Sequence, residues 1–329
     1  MQTFKSFEQV LYTVNDSTFE DIALKLFLKQ AQENKVYGDF IRNLGIQPSS
    51  IDRLERIPFL PITFFKNHDV VTGQWPHPEI VFTSSGTTGV STSRHLVPQL
   101  SFYLEHAKRN FEAFFGSLAD YHILALLPSY LEREGSSLIA MIDYFIQQSG
   151  SPHGGFYLHN YDELIQKATS LKHDNRKVLL FGVSFALLEL AERYEVDLSH
   201  CLVLETGGMK GRRKELTREE LHNFLQEKFR VKTILSEYGM TELMSQAYSM
   251  GSGLYGTPPW MKVVIRDIND PFELERAEKT GGVNIIDLAN VYSCGFIETQ
   301  DLGRVAQNGN FEILGRFDNS DIRGCNLLV

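Results

Sequence analysis

The sequence holds few cysteines, no excess of basic residues and no long apolar run. Its three cysteines, Cys201, Cys294 and Cys325, are odd in number and widely separated. That excludes a disulfide framework and a cysteine-based zinc site. Lys and Arg together number 32 against 41 Asp and Glu, a net charge of −9. A surface for nucleic acid would need clustered positive charge, so none is expected. No stretch reaches the ~18 apolar residues of a membrane span. The longest near-continuous run, "YHILALLPSYL", is interrupted by Pro128. The start, "MQTFKSFEQVLYTV", lacks the basic and then apolar regions of a secretory signal. What is left is a chain expected to be cytoplasmic, with 43% hydrophobic residues to build a core. Its 329 residues suit about two domains, or one large α/β unit with an appendage.

What is present is alternation. Ser17 and Glu20 have capping-box spacing ahead of apolar residues at helical intervals, Phe19, Ile22, Ala23, Leu26 and Phe27. The proline-rich stretch 57–82 is irregular until "EIVFTSSG" supplies a short strand that runs into a loop. From residue 121 strands and helices take turns. "YHILALL", "KVLLFGV", "CLVLE" and "KTIL" read as strands. "SSLIAMIDYFIQQ", "YDELIQKATSL", "FALLELAERY" and "REELHNFLQEKF" read as helices, the last capped by Thr217 and Glu220. Such a pattern predicts βαβ units on a mostly parallel sheet. After about residue 260 short strands take over: "KVVIR", "GVNIIDL", "GFIE", "GRVA" and "FEIL", the last two joined by the turn signal "QNGN". The expected division is an α/β core over 1–255 and a β-rich portion over 256–329.

Two segments carry chemistry. "TSSGTTG", residues Thr83, Ser84, Ser85, Gly86, Thr87, Thr88 and Gly89, contains only Gly, Ser and Thr. Glycines let the backbone approach an anion, and hydroxyls and free N–H groups can wrap phosphate oxygens. The Gly-Lys-Ser/Thr ending of a Walker A loop is absent. Alone, such a tract reads as a polar loop more often than as a site. "SEYGMTEL" places Tyr238, Gly239, Thr241 and Glu242 directly after a strand, where open parallel sheets bind ligands. There a Tyr ring can stack on a purine, Thr can bond a phosphate, and Glu can hold Mg²⁺. The bland alternative is a strand-to-loop turn with a solvated Glu.

Together these segments resemble the adenylate-forming superfamily of acyl-CoA ligases, phenylacetate-CoA ligases and relatives. "TSSGTTG" is similar to its phosphate loop and "EYGMTE" to its adenine and Mg²⁺ motif. "TQDLG" resembles the segment whose Asp binds ribose hydroxyls, which implies Asp301. "ETGGMKG" resembles a Gly-rich turn against adenine, which implies Gly207 and Gly208. "GRFDNSDIRG", from Gly315, resembles the hinge before the family's C-terminal lid. The resemblance implies the fold of the large N-terminal part of these enzymes, with ATP and Mg²⁺ as cofactors. The chain departs from the pattern in two places. "VSTSRH" follows the phosphate loop where the family has Pro-Lys, which leaves Arg94 as an open candidate for the missing cation. The sequence also stops soon after the hinge, so no C-terminal lid is expected; in the family the lid spans roughly a hundred residues, the ordinary size of a small domain.

"PSYLEREGSSL", "GGFYLHNYDEL", "GMTELMSQAY" and the late cysteine in "RGCNLLV" resemble the acyl-protein synthetases of bacterial luminescence fatty-acid reductase complexes. That resemblance implies activation of a fatty acid, or a related carboxylic acid, to acyl-AMP. The acyl group would pass to Cys325 as a thioester and then to a partner such as an acyl reductase or a carrier. Arg316 and Arg323 could lower the thiol's pKa, against the opposing charges of Asp318 and Asp321. Cys201 and Cys294 read as structural. Lys210, Arg212 and Arg213 read as a solvated turn, His153 and His159 as structural histidines. Glu132, Arg133 and Glu134 stay open between a charged loop and a carboxylate-binding wall.

Three other readings remain. A ligase could hand the acyl group to CoA or a carrier without Cys325. A nucleotide-binding relative could lack activity altogether. An α/β-hydrolase could use Ser184, since "GVSFA" follows a strand as a nucleophile elbow does; the histidines after it, His200 and His222, are poorly placed for that fold's order.

Overall fold

The helical and strand periodicities of the sequence resolve into one long sheet with helices packed on it. The computed structural model describes residues 2–84, 92–128, 135–207 and 216–317, with side chains from residue 7. The N-terminal part is helical: α1 (Gln2–Leu11), α2 (Phe19–Glu33) and α3 (Lys35–Asn43). The expected capping box of α2 does not form. Ser17 instead donates its hydroxyl to Asn15 Oδ1 at 2.6 Å, in an Asx turn, and Glu20 Oε1 accepts from Leu54 N at 3.1 Å. Next come the short strand β1 (Leu60–Pro61) and α4 (Phe64–Asn67). The hairpin β2 (Ile80–Thr83) and β3 (Arg94–Val97) follows, and then α5 (Leu100–Phe115). This last helix goes beyond the sequence expectation. It buries Tyr103, Ala107, Phe111 and Phe115 at four-residue intervals.

The expected alternation then appears: β4 (Tyr121–Leu126), α6 (Ser137–Ser149), β5 (Gly155–Tyr157), α7 (Tyr161–Ser170), β6 (Lys177–Val183), α8 (Ser184–Arg193), β7 (Cys201–Thr206), α9 (Arg218–Phe229) and β8 (Ile234–Tyr238). The capping box of α9 is formed in full: Glu220 N donates to Thr217 Oγ1, and Thr217 N to Glu220 Oε2. β8, β7, β6, β4 and β5 lie side by side in parallel. β4, β6 and β7 are buried along nearly their whole length, which is why they read as mainly apolar runs.

Beyond β8 the sheet turns antiparallel through β9 (Ala247–Ser249), β10 (Tyr255–Gly256), β11 (Met261–Arg266), β12 (Gly281–Asp287), β13 (Phe296–Val305) and β14 (Phe311–Arg316). The order β11-β12-β13-β14-β10-β9-β8-β7-β6-β4-β5 makes one sheet. It is continuous across residue 255, because β10 pairs with both β9 and β14. "GFIE" and "GRVA", expected as separate strands, are two ends of β13, with "TQDLG" inside it. The turn at "QNGN" is as expected: Ala306 N donates to Asn310 O, and Gly309 takes a left-handed φ of 84°. Among the described residues no helix is long and apolar enough to cross a membrane.

Candidate functional site

The candidate residues gather beyond the carboxyl ends of β7 and β8, where the parallel half of the sheet meets the antiparallel half. β2 and β3 form the stem of the Gly/Ser/Thr segment, with Thr83 opposite Arg94 in register. Ser84 N donates to Ser93 O at 3.1 Å, and Ser93 N donates back to Ser84 Oγ at 2.9 Å. Thr83 N also donates to Gly135 O at 2.8 Å. Gly135 has a left-handed φ of 74°, and a Cβ there would run into the Val81 carbonyl, so the close approach requires glycine. Ser85, Gly86, Thr87, Thr88 and Gly89 lie outside the described residues. So do Gly208, Cys325, Glu132, Arg133, Glu134, Lys210, Arg212, Arg213, Arg323, Asp318 and Asp321.

His95, buried in β3, ties this stem to the loop after β8. Its Nδ1 is 2.7 Å from the Thr241 carbonyl, and only a protonated Nδ1 can donate to it. Burial lowers the ring's pKa to about 4, so the imidazole is neutral near pH 7. The neighbouring Glu242 is buried, and its carboxylate accepts from the Ser93 side chain. Burial raises its pKa, offset by that bond and by the positive charges of Arg316 and Lys66. Asn290 Nδ2 holds the Glu242 carbonyl at 2.7 Å.

Asp301 on β13 faces Arg316 on β14. Its Oδ1 lies 3.2 Å from Arg316 Nε, and its Oδ2 accepts from the Tyr238 hydroxyl at 2.7 Å. Burial raises the pKa of Asp301, against the Tyr238 hydrogen bond and the Arg316 charge. The Tyr238 ring sits edge-on to Phe311, with centroids 5.5 Å apart. Gly207 directly follows β7, with a φ of 75°. Gly239 leaves no room for a Cβ, because Glu237 Oε1 occupies that space. Among the described candidates, Tyr238, Asp301, Arg316 and Glu242 form one group. Thr83, Ser84 and Thr241 connect to it through Ser93 and His95. Gly207 directly follows β7, the strand next to β8.

Arg94 is engaged elsewhere: its Nη1 pairs with Asp69 at 2.9 Å, with both side chains half exposed. His153 meets the His122 ring edge-on, with centroids 5.3 Å apart, and His159 meets the Tyr161 ring edge-on at 6.4 Å. Ser184 Oγ donates to Glu205 Oε2 at 2.6 Å. His222 Nε2 lies 3.5 Å from Glu205 Oε1, and His200 Nε2 lies 2.9 Å from the Ala168 carbonyl. No histidine among the described residues takes the Ser184 proton, which leaves the hydrolase reading without its base.

Sequence reasoning missed four buried polar residues that hold neighbouring backbone or hydroxyl groups: Glu205, Glu237, Asp287 and His95. Glu237 is fully buried beside Thr206, to whose hydroxyl it is bonded, and burial raises its pKa to about 7. The one available signal was a charged residue within an otherwise apolar strand.

No family model matches the sequence, and no curated protein matches it. Solved structures do. An open conformation of 2-hydroxyisobutyryl-CoA ligase, in complex with 2-HIB-AMP and CoA, superposes with a TM-score of 0.63 at 14% identity, over 91% of this chain and 74% of that one. ATP-bound MatB from Rhodopseudomonas palustris gives 0.55 at 17% identity, over 74% of this chain and 50% of that one. The luciferase-like enzyme of the nonluminescent mealworm Zophobas morio gives 0.50 at 18%, over 75% and 60%. The chain spans about half the length of the MatB structures. The fold is thus that of the large N-terminal part of adenylate-forming enzymes, an α/β sheet extended by antiparallel strands.

Proposed function

We propose that this chain uses ATP to convert a carboxylic acid to an acyl-AMP and then carries the acyl group as a thioester on Cys325. The observation that carries this reading is the meeting of Asp301, Tyr238, Arg316 and Glu242 at the carboxyl ends of β7 and β8. The neighbours that hold ATP or 2-HIB-AMP on a similar fold support it.

In this reading Asp301 accepts the ribose hydroxyls, and Gly207 and Gly208 border the purine with Tyr238 and Gly239. Thr83, Ser84, Ser85, Gly86, Thr87, Thr88 and Gly89 wrap the phosphates with Thr241. Glu242 fits a Mg²⁺ site: Mg²⁺ is ordinarily held by one or two carboxylates together with substrate phosphates and water. Glu242 is a buried carboxylate with no ion pair among the described residues. Bound Mg²⁺ would supply positive charge to the phosphates. A carboxylate oxygen of the acid attacks the α-phosphorus, the bond to the β-phosphate oxygen breaks, and pyrophosphate leaves. The Cys325 thiolate then attacks the acyl carbon and AMP leaves, a far better leaving group than the oxygen of a free carboxylate. Burial pushes the thiols of Cys201 and Cys294 up to about 12. Of the three cysteines, that leaves Cys325 to act as a nucleophile near neutral pH.

The substrate favoured by the sequence resemblance is a fatty acid, and the recipient an acyl-accepting protein such as an acyl reductase or a carrier. A second reading, transfer from acyl-AMP to CoA without Cys325, is favoured by the CoA-bound neighbour. The test is exchange of labelled pyrophosphate into ATP with a panel of fatty and aryl acids. Exchange that requires an added acid, and is lost in Asp301→Ala, is expected. No exchange with any acid would overturn the activation step.

A further inference from the structure

We propose that Asp287 is a positioning residue that sets Glu242, gripping the loop that carries it through a hydrogen-bond chain of fixed polarity. The inference rests on the reading of Glu242 as the Mg²⁺ ligand. The loop 239–246 leaves β8 and has no ladder partners until β9, so its backbone depends on side chains for its geometry. Asp287 sits fully buried at the end of β12. Its Oδ2 accepts from Met244 N and Ser245 N, both at 2.9 Å. Its Oδ1 accepts from Ser245 Oγ at 2.7 Å and from Ala289 N at 3.1 Å. Three residues on, Asn290 Nδ2 holds the Glu242 carbonyl. Segment 287–290 therefore grips the loop at Glu242 and again two and three residues later. The Glu242 side chain is left to face Ser93 and the Arg316 charge.

The direction of the chain follows from counting protons. The single proton of Ser245 Oγ goes to Asp287. Its 2.9 Å contact with His106 Nε2 must therefore be one in which the ring donates. His106 is buried and neutral, so its Nδ1 is an acceptor, and the 3.2 Å contact with Tyr12 is the phenol donating. Every donor from Tyr12 inward points toward Asp287. The four donors it receives, with no cation in hydrogen-bonding contact among the described residues, need a carboxylate at their centre; an amide could not accept them all.

The test uses Mn²⁺ in place of Mg²⁺ with α,β-methylene-ATP, and reads bound metal by electron paramagnetic resonance. In Asp287→Asn, Mn²⁺ affinity in the ternary complex is expected to fall about tenfold, with metal-free nucleotide affinity changed less than about twofold. The ¹⁵N shifts of His106 are expected to report the Nε2–H tautomer in the wild type and Nδ1–H in the variant, where Ser245 turns its proton toward the ring. A purely structural role would lower Tm and move neither readout. Should Asp287→Asn fail to fold, Asn290→Ala tests the same grip and is expected to show the same loss specific to the metal. An unaltered Mn²⁺ affinity in the folded variant, or Nδ1–H in the wild type, would overturn the inference alone. No ternary complex in the wild type would overturn the metal reading of Glu242 and this inference with it.

Discussion

Asp301 and Arg316 are register partners across β13 and β14, and that pairing sets a guanidinium 3.2 Å from a buried carboxylate. The same carboxylate accepts from Tyr238 at the end of β8. Two parts of the sheet thus converge on one side chain. Arg316 and Tyr238 both favour the ionised form of Asp301 against the burial that raises its pKa. If AMP binding needs the carboxylate, Arg316→Ala moves the acid limb of AMP affinity to higher pH, and Tyr238→Phe moves it the same way. Calorimetric titration of AMP between pH 5 and 8 checks this. An acid limb that stays in place in both variants would detach Asp301 from the nucleotide.

Gly239 is fixed by space rather than by backbone angle. A methyl group there meets Glu237 Oε1, which cannot swing away freely because its other oxygen is bonded to Thr206. Gly239→Ala is expected to cost about 1–3 kcal/mol, the usual range for overpacking. Adding Glu237→Ala should restore part of that stability. Urea unfolding of both single variants and the double gives the coupling energy, and additive costs would contradict this contact.

His106 gives a pH dependence of known sign. Burial, with a smaller push from Arg109, lowers its pKa from 6.5 to about 3. The folded state therefore keeps the ring neutral while the unfolded chain takes up a proton below about pH 6.5. Stability from this group is complete above that pH and is lost as pH falls toward 3. Relative to His106→Gln, the wild type should lose about 1.4 kcal/mol per pH unit between pH 6 and 4. Denaturant unfolding at several pH values measures the difference, and a constant difference would mean that the ring is not buried as described.

Thiol labelling separates the three cysteines. With thiol pKa values near 12, Cys201 and Cys294 hold roughly one thiolate in ten thousand at pH 8. Iodoacetamide should therefore spare Cys201 and Cys294 in the native protein and modify them only on unfolding, while the proposed role of Cys325 requires it to react natively. Peptide mass mapping reads the sites. Rapid native modification of Cys201 or Cys294 would remove the argument that singles out Cys325.

Much of the fold was legible because buried parallel strands and amphipathic helices carry different periodicities. The strands at Tyr121, Lys177 and Cys201, with the capped helix from Arg218, stand where their patterns put them. Helix α5 was not legible. Its buried face adds His106 and Asn110 to the row Tyr103, Ala107, Phe111 and Phe115, and these polar residues, which pair with Ser245 and Gln246, dilute the apolar signal. The α2 capping box failed because Asn15 and Leu54 took the partners that Ser17 and Glu20 were expected to give each other. At the site, Tyr238, Glu242 and Asp301 stood out as motif residues. Asp287, His95 and Asn290 did not, because a residue that acts by holding a distant backbone leaves no local spacing to read.

The most direct test of the central claim is the intact mass of the protein after incubation with Mg·ATP and each of a panel of fatty and aryl acids, beside Cys325→Ser. AMP release and a hydroxylamine-labile acyl adduct are expected on the wild type, with the adduct absent from the variant. AMP release with no adduct on either protein would contradict the Cys325 thioester and move the acyl group to CoA or a carrier. Neither AMP nor adduct with any acid would contradict the account as a whole.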